Sequence, residues 1–400
     1  MAIYLDHNAT SPLAPEAATA MAQAYAAGYA NPASQHASGR QACAVLEDAR
    51  ERIGALFGAK LDHFRPDRVL FTSGGTEANN LAIFGLAEAK KASGPRRVIV
   101  SPVEHPCISG AADELRRRGF TVDKPRVTSQ GIVEPDELAR LLAEQPARVV
   151  SIQLANHETG VLQPIAELAA ICAKHGVPMH TDGVQAAGKL ALDVAKLGVA
   201  AMTVSAHKFN GPTGAGALVV RHGVDLAPQL YGGFQQEALR PGTESISQAL
   251  GMLAALEVWQ RERSARIAHL EQLAALFESA ILAGDVGAVI HGRLVPRLPQ
   301  TWSVGFPGID RQALFLALDL AGVACSTGSA CASGSSEPSP VLSAMGLSES
   351  FVKGSLRFSA GPSTSVSDLT SACERILKCC NSLQSVKMPE KGAPAAREQG

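Results

Sequence analysis

The stretch RVLFTSGGTEANN, residues 68–80, contains the pattern that decides the fold. Its first five residues predict a short buried strand, and the pattern from about Thr76 to Lys91 predicts a helix, with a glycine turn between them. Glycines let the backbone approach an anion, and the free N–H groups at a helix start attract phosphate. The stretch has neither the GK[ST] of a Walker A loop nor a GxGxxG motif, which disfavours nucleotide binding. A plain tight turn explains it as well as a phosphate site does.

The same alternation of strand and helix continues through the first 260 residues. Further strand candidates are Arg97–Ser101, Arg148–Leu154, Val177–His180, Ala201–Ser205 and Ala215–Val220. Helical segments such as Ile165–Lys174 lie between them, with Gly176 placed as a C-cap would be. Continuous apolar strands that alternate with helices predict an α/β fold, with a mainly parallel sheet covered by helices on both faces.

A chain of 400 residues exceeds what one hydrophobic core organises, so we expect more than one domain. We expect an N-terminal segment over residues 1–15 that packs with the smaller lobe, and a large domain over residues 16–260. A smaller α+β domain is expected over residues 261–385, with a long helical connector across residues 245–283. Residues 386–400 lack periodicity and predict a disordered tail.

Charge and composition exclude several classes of protein. The formal net charge of −1 gives no long-range attraction to nucleic acid or acidic membranes. The first ten residues lack the basic and apolar regions of a signal peptide, and no apolar run is long enough to span a bilayer. Eight cysteines in so long a chain do not predict a disulfide framework, and no paired CxxC predicts a metal site. We therefore expect a cytoplasmic protein without a nucleic-acid or membrane partner.

Two more stretches follow apolar strands. Asp182, in HTDGVQ, would lie at the carboxyl end of a strand, where open parallel sheets bind ligands, although a helix N-cap explains it equally well. Lys208, in SAHKFNGPTGAGAL, could form a Schiff base with an aldehyde cofactor, although a surface lysine also fits. An anion site, an acid and an amine on one sheet are together what pyridoxal phosphate requires.

Motifs along most of the chain, from about residue 3 to residue 380, resemble the NifS/IscS-type cysteine desulfurases, a group within the class V aminotransferases. The motifs are IYLDHNAT, NPAS, FTSGGTEANNLAI, EHPCI, HTDGVQAAGK, SAHKFNGPTGAGAL, GSACASGSSEP and LRFS. The resemblance implies fold type I of the pyridoxal phosphate enzymes, with a large cofactor-binding domain and a smaller lobe. It also implies a reaction that removes sulfur from L-cysteine and leaves alanine.

The resemblance assigns residues to the pyridoxal ring. Lys208 would be the Schiff-base lysine, and His105 would stack on the ring and move protons. Asp182 would pair with the ring nitrogen, and Gln185 would donate a hydrogen bond to the phenolic oxygen.

The resemblance also assigns a phosphate site. Thr76, Ser205 and His207 would hold the phosphate, with Gly75 giving access to the backbone. Thr243 would reach the phosphate of a neighbouring subunit, which implies a homodimer.

Substrate binding is implied for three residues. Arg357 would clamp the substrate carboxylate, since a guanidinium fork suits two oxygens, although a surface arginine is the alternative. Asn31 would assist it, and Asn156 would also contact the substrate.

Two cysteines lie six positions apart in the Ser/Gly-rich stretch at residues 324–340. The resemblance places the nucleophile on Cys331, which would carry the sulfur as a persulfide to an acceptor or an iron–sulfur scaffold protein. Such a loop is expected to be mobile, because the sulfur must reach a partner. Cys325 is expected to face the core, with a resolving thiol as the alternative.

The chain departs from the family pattern at two places. His157 stands where the family commonly has a cofactor-contacting Asn, and its imidazole is bulkier and titratable. Glu237 stands at a usually basic position, while Arg240 and Thr243 of the same segment are kept.

Other activities remain open from sequence. A selenocysteine lyase or a class V aminotransferase would share the fold, although amino transfer needs no protein thiol. A non-catalytic scaffold would not require the Lys, Asp, His and Cys set. A nitrogenase-dedicated role and a housekeeping role in iron–sulfur assembly are not separated by the sequence.

Overall fold

The computed structural model of the chain describes residues 2–61, 64–90, 92, 94–328 and 338–385. Cys331 with its expected mobile loop, and the expected tail over residues 386–400, lie outside these residues.

Strands and helices alternate along the chain. The strands are β1 (Ile3–Tyr4), β2 (Arg68–Thr72), β3 (Arg97–Val100), β4 (Thr121–Asp123), β5 (Val149–Ser151), β6 (Met179–Asp182), β7 (Ala201–Ser205), β8 (Gly216–Val220), β9 (Val289–Ile290), β10 (Thr301–Gly305), β11 (Val323–Ala324) and β12 (Ser355–Ser359). The helices are α1 (Pro15–Ala27), α2 (Ala37–Leu56), α3 (Gly75–Ala87), α4 (Pro106–Arg117), α5 (Pro135–Glu144), α6 (Ile165–Lys174), α7 (Val194–Leu197), α8 (Ile246–Ala283), α9 (Arg311–Leu320), α10 (Pro340–Ala344), α11 (Glu349–Lys353) and α12 (Val366–Ser385).

The central sheet has seven strands in the order β2-β8-β7-β6-β5-β3-β4. All neighbours from β4 to β7 are parallel, and β8 alone runs antiparallel to both of its neighbours. The prediction of a mainly parallel α/β sheet is therefore confirmed. Because β2, β3, β5, β6 and β7 point the same way, the residues that follow them meet at one edge of the sheet.

Apolar side chains form a core on each face of this sheet. One contains Ile53, Val150 and Met252 and is covered by α2, α5, α6 and the first part of α8. The other, with Ile83 and Leu115, is covered by α3 and α4. Near-continuous burial of the strands follows, since a sheet covered on both faces has no solvent side.

A third core belongs to the smaller lobe. Trp302 and Phe277 stack at its centre, with ring centroids 4.2 Å apart. The 38-residue α8 spans both regions, because its first half is buried in the large core and Leu273 and Ile281 are buried in the smaller one. The predicted helical connector is thus one continuous helix.

The N-terminal segment joins the two regions. Strand β1 pairs in parallel with β11 of the smaller lobe, and Leu5 is fully buried in its core. A few residues later, Asn8 and Ala9 line a cavity of the large region. Among the described residues, no helix is both long and apolar enough to cross a membrane.

Candidate active site

A cavity of about 420 Å³ lies at the carboxyl ends of the central strands. It gathers ten of the residues that the sequence predicts for cofactor or substrate: Gly75, Thr76, His105, His157, Asp182, Gln185, Ser205, His207, Lys208 and Arg357. Nine of them lie at or just after strand ends of the central sheet, which meet at one edge, and Arg357 is contributed by β12 of the smaller lobe.

One end of the cavity suits an anion. Helix α3 begins at Gly75, and the buried Ser205 hydroxyl beside it has no hydrogen-bond partner among the described residues. A side chain at position 75 would place its Cβ 2.9 Å from Val184 Cγ2, so the close approach requires glycine. Burial, followed by Lys208 and Lys189, lowers the pKa of His207 to about 4. N–H groups, a free hydroxyl and a neutral imidazole are donors that fit a phosphate.

Asp182 is the last residue of strand β6. It accepts hydrogen bonds from the Val184 N–H (2.9 Å) and from Asn79 Nδ2 (2.7 Å). Burial is the largest influence and raises its pKa above the ordinary value, while these donors oppose the shift. A buried carboxylate of this kind is stabilised by a cationic N–H partner, such as a protonated ring nitrogen.

Two imidazoles meet edge to face in the cavity, with His105 and His157 ring centroids 5.2 Å apart. His105 Nδ1 caps helix α4 by accepting the Cys107 N–H, 3.2 Å away. Because Nδ1 accepts there, the neutral ring carries its proton on Nε2. The pKa of both histidines is lowered, chiefly by burial, and that of His157 lies well below its usual value.

The Lys208 amine contacts the backbone of the N-terminal segment. Its Nζ donates to the backbone oxygens of Asn8 (2.6 Å) and Ala9 (2.8 Å). The short 3-10 turn Ala206–Lys208 directly after β7 directs the side chain into the cavity. The amine is therefore held by backbone and not by a carboxylate in these contacts.

Arg357, on β12, brings the smaller lobe to the cavity. Its guanidinium donates to Asp6 Oδ1 (2.7 Å) and to the His157 backbone oxygen (3.0 Å). Its Nε is buried without a hydrogen-bond partner among the described residues. That N–H, inside a buried cationic group, suits a carboxylate ligand.

Comparisons with known proteins agree with this geometry. The family "Aminotransferase class-V" matches residues 3–371. The cysteine desulfurase IscS of Dictyoglomus turgidum is 37% identical over 392 residues, covering 97% of this chain and 98% of that protein. The chain belongs to the class-V aminotransferases. Within them it belongs to the cysteine desulfurases, as the resemblance predicts.

Solved structures of two similar proteins have the same fold. A NifS-like protein from Rickettsia africae has a TM-score of 0.86 and 30% identity, covering 95% of this chain and 100% of that one. A protein called SspA, solved in complex with cysteine, has a TM-score of 0.77 and 30% identity, covering 90% of this chain and 99% of that one. The likeness extends over both regions of the chain.

Three residues expected from the desulfurase resemblance do not line the cavity. Asn156 is buried in a turn, where its Oδ1 accepts from the N–H groups of Glu158 and Thr159 and its Nδ2 donates to Val103 O. Asn31 and Thr243 line a separate void of about 350 Å³. Asn156 therefore stabilises a turn, and Asn31 and Thr243 lie beside a void outside the cavity.

Cys325 lies where the sequence predicts it. It is 8% exposed in the core of the smaller lobe, and burial raises its pKa to about 12. A thiol of that kind is a poor nucleophile.

Four cavity residues were missed from the sequence. Asn8 accepts the Lys208 amine, Glu158 accepts from Ser339 Oγ (2.6 Å), and Cys107 Sγ lies 3.0 Å from His105 Nδ1. Glu104 is buried, and this burial raises its pKa well above the usual value. Each lies within or beside a recognised motif, but only the folded contacts show its role.

Glu237 is distant from the chemistry. It is two-thirds exposed and pairs with Arg68 at 3.4 Å. Arg240 instead pairs with Glu77 in the first turn of α3 (2.7 Å), beside the anion end of the cavity.

Proposed function

We propose that this chain is a pyridoxal-phosphate-dependent enzyme that takes sulfur from L-cysteine, releases alanine and holds the sulfur as a persulfide on Cys331. The observation that carries the proposal is one cavity that joins Lys208, Asp182 and Arg357 to the buried Ser205 hydroxyl beside a helix start, which has no hydrogen-bond partner in the described part of the chain. A relative of the same fold solved with cysteine supports the substrate.

Pyridoxal phosphate fits the donor set. Ser205, Thr76 and the start of α3 would hold its phosphate, and Asp182 its ring nitrogen. Lys208 offers the amine for its aldehyde, and His105 would lie against the ring. When bound, this cofactor supplies an electron sink for bonds broken at the substrate's Cα.

The residues around the substrate have separate tasks. Arg357 would bind the carboxylate through its Nε, which has no partner within the described ranges, because its other nitrogens donate to Asp6 and the His157 oxygen. The Lys208 amine would move a proton at the substrate's Cα after the substrate has taken its place on the cofactor aldehyde. The backbone oxygens of Asn8 and Ala9 position the amine for this step. Neutral His105 would donate from Nε2.

Sulfur transfer is assigned to the Cys331 thiolate. An S–S bond forms between the Cys331 sulfur and the substrate sulfur while the substrate C–S bond breaks. The electron pair of that bond stays with the substrate carbon, which takes up a proton and becomes the methyl group of alanine. A thiol reductant or an acceptor protein then removes the sulfur from the persulfide.

The proposal extends to a homodimer in the reducing cytoplasm, where a persulfide thiol is not lost to disulfides. Thr243 and Asn31 share a void outside the cavity, and Tyr231 and Phe234 nearby in sequence are 86% and 94% exposed. Exposed aromatic side chains are typical of interface anchors. The acceptor is proposed to be an iron–sulfur scaffold protein, and a nitrogenase-dedicated role is one form of this.

Absorbance and product analysis test the proposal. Protein loaded with pyridoxal phosphate is expected to show a visible band and to form alanine and sulfide from L-cysteine with a reductant. Lys208→Ala should lose the band, and Cys331→Ala should keep the band but lose sulfide release. Keto-acid-dependent amino transfer without sulfide, or an unchanged rate in Cys331→Ala, would overturn the assignment.

A further inference from the structure

Lys189 lies behind the cavity and is not assigned a role by the proposed chemistry. Lys189 does not line the cavity; it lines a small neighbouring void. Lys208 lines both the cavity and this void. The Lys189 Nζ donates to Gln185 Oε1 (2.9 Å) and to Asn8 Oδ1 (3.3 Å). Both partners are neutral amide oxygens, so the ammonium is held without a carboxylate in these contacts.

These contacts fix the orientation of the Gln185 amide. An ammonium group only donates, so the atom of Gln185 that faces Lys189 must be oxygen. On its other side, Gln185 Nε2 donates to the Asn8 backbone oxygen (3.1 Å), which only accepts. If the amide were rotated by half a turn, Gln185 Nε2 would face the Lys189 ammonium, donor against donor. Gln185 Oε1 would then face the Asn8 backbone oxygen, acceptor against acceptor. The Nε2 group keeps a second N–H, and Gln185 lines the cavity.

The charges around Lys189 are mainly positive. Lys208 and Arg357 face it from the turn after β7 and from β12, and Arg266 of α8 lines the same void. Two of these cations are paired, Arg357 with Asp6 (2.7 Å) and Arg266 with Glu262 (2.8 Å), whereas Lys208 has only backbone oxygens in the contacts given above. His7 and His207 are kept neutral by burial, each with a pKa lowered to about 4. Burial, followed by Lys208 and Arg357, lowers the pKa of Lys189 to about 7. An anionic ligand oxygen near Gln185 would offset this repulsion.

We propose that Lys189 is a positioning residue that turns the N–H side of Gln185 towards the cavity and places a positive charge behind the ligand oxygen that Gln185 contacts. The ligand class is a phenolate, as in the ring oxygen of pyridoxal phosphate. This inference rests on the proposed function, because it takes that cofactor as the occupant.

The test compares Lys189→Met with wild type and with Lys196→Met, whose exposed lysine on α7 is the matched control. Each protein is loaded with pyridoxal phosphate, and its visible absorbance is recorded against pH. A nearby positive charge favours the deprotonated form of the ligand, so its removal should raise the midpoint by about one pH unit. The dissociation constant of pyridoxal phosphate, measured by titration, should rise several-fold, roughly the loss of one hydrogen-bond arrangement.

The outcomes separate the two proposals. A wild-type protein without a visible band overturns the cofactor assignment and this inference together. A wild-type band whose midpoint is the same in Lys189→Met overturns the role of Lys189 alone. If Lys189→Met does not fold, Lys189→Gln is neutral and polar and should show the same upward shift. Lys189→Arg keeps charge and donors, so it should restore the midpoint.

Discussion

His157 stands where the resemblance leads us to expect an asparagine, and its surroundings decide what a histidine does there. The side chain is buried against His105, and its pKa is lowered well below the usual value by burial and then by His105. An imidazole in this position is neutral near physiological pH. The titratable character that the sequence suggests is therefore suppressed by the fold.

Replacing His157 by Asn should leave the pH dependence of kcat/KM unmoved, because one neutral side chain replaces another. We expect a change in KM for cysteine or in cofactor affinity, since the cavity gains volume. The measurement is a pH–rate profile of both proteins, with exposed His175→Asn as control. A limb displaced by about one pH unit in His157→Asn would show that His157 titrates during the reaction.

At the scale of single elements, the start of α3 joins a strand end to an anion site. Ser205 leaves β7 with its hydroxyl buried beside Gly75 and without a partner among the described residues. An unsatisfied buried hydroxyl destabilises the fold, which a functional site tolerates when a ligand completes it.

Replacing Ser205 by Ala should therefore separate stability from binding. The cofactor-free protein should keep or slightly raise its melting temperature, because no hydrogen bond of the described fold is lost. Its dissociation constant for pyridoxal phosphate should rise about ten-fold or more, since a hydrogen bond to a charged group contributes roughly 1.5–3 kcal/mol. Ser109→Ala is the control, because Ser109 lines the cavity but donates to Pro106 O. Equal effects of the two variants would contradict the prediction.

A strained turn covers the edge of the sheet at β2. Gln236, Glu237 and Ala238 have φ angles of 49°, 60° and 57°, in the left-handed region that favours glycine. The Gln236 side chain holds the turn by bonding the Phe71 N–H (2.6 Å) and the Phe71 oxygen (3.0 Å). Those backbone groups would otherwise be an open sheet edge, which invites pairing with other chains.

Glu237→Gly should stabilise the protein. Glycine removes a positive-φ cost of roughly 1–2 kcal/mol, while the exposed pair with Arg68 contributes little. Chemical denaturation should show a higher free energy of unfolding. Glu271→Gly, at an exposed position inside α8, is the control and should lose about 1 kcal/mol. Destabilisation by both would mean that the turn is not strained at this residue.

Sequence patterns predict these elements unevenly. Arg68–Thr72 and Ala201–Ser205 match β2 and β7 residue for residue, because their apolar runs stop where the ladder stops. Strand β5 ends at Ser151, three residues before the predicted Leu154. Ile152 and Leu154 stay buried in the core of the large region, so apolar character continues past the strand.

Site residues that directly end or follow an apolar strand, such as Asp182 and Lys208, could be predicted from the sequence. Asn8 could not, because its contacts depend on chain segments far apart. Its backbone oxygen accepts from Lys208 and Gln185, and its N–H donates to Ser359 Oγ (2.9 Å), 351 positions away. No local pattern encodes partners at that separation.

At the scale of the whole molecule, buried histidines link stability to pH. The pKa of His7 and His291 is lowered to about 4, and that of His180 to about 3, mainly by burial. In the unfolded chain these groups titrate near the ordinary value of 6.5. Between those values the unfolded chain binds more protons, so acid favours unfolding.

We expect the melting temperature to be highest above about pH 6.5 and to fall steadily as the pH is lowered towards about 4. Each of these shifts corresponds to roughly 3 kcal/mol or more, so the loss should be large. His291→Gln should flatten part of the decline, whereas exposed His175→Gln should not. A melting temperature constant over this range would contradict the account.

The N-terminal segment has a consequence for how the protein is made. The ribosome synthesises Asn8 293 residues before its partner Thr301 and 351 residues before its partner Ser359. Strand β1 likewise cannot pair until its partners Val323 and Ala324 have been synthesised. The carbonyl oxygens that hold Lys208 can therefore reach their final place only after β10, β11 and β12 have been synthesised. Contacts of such long separation form slowly. A nascent chain could complete its central sheet early, but it would acquire a working lysine last.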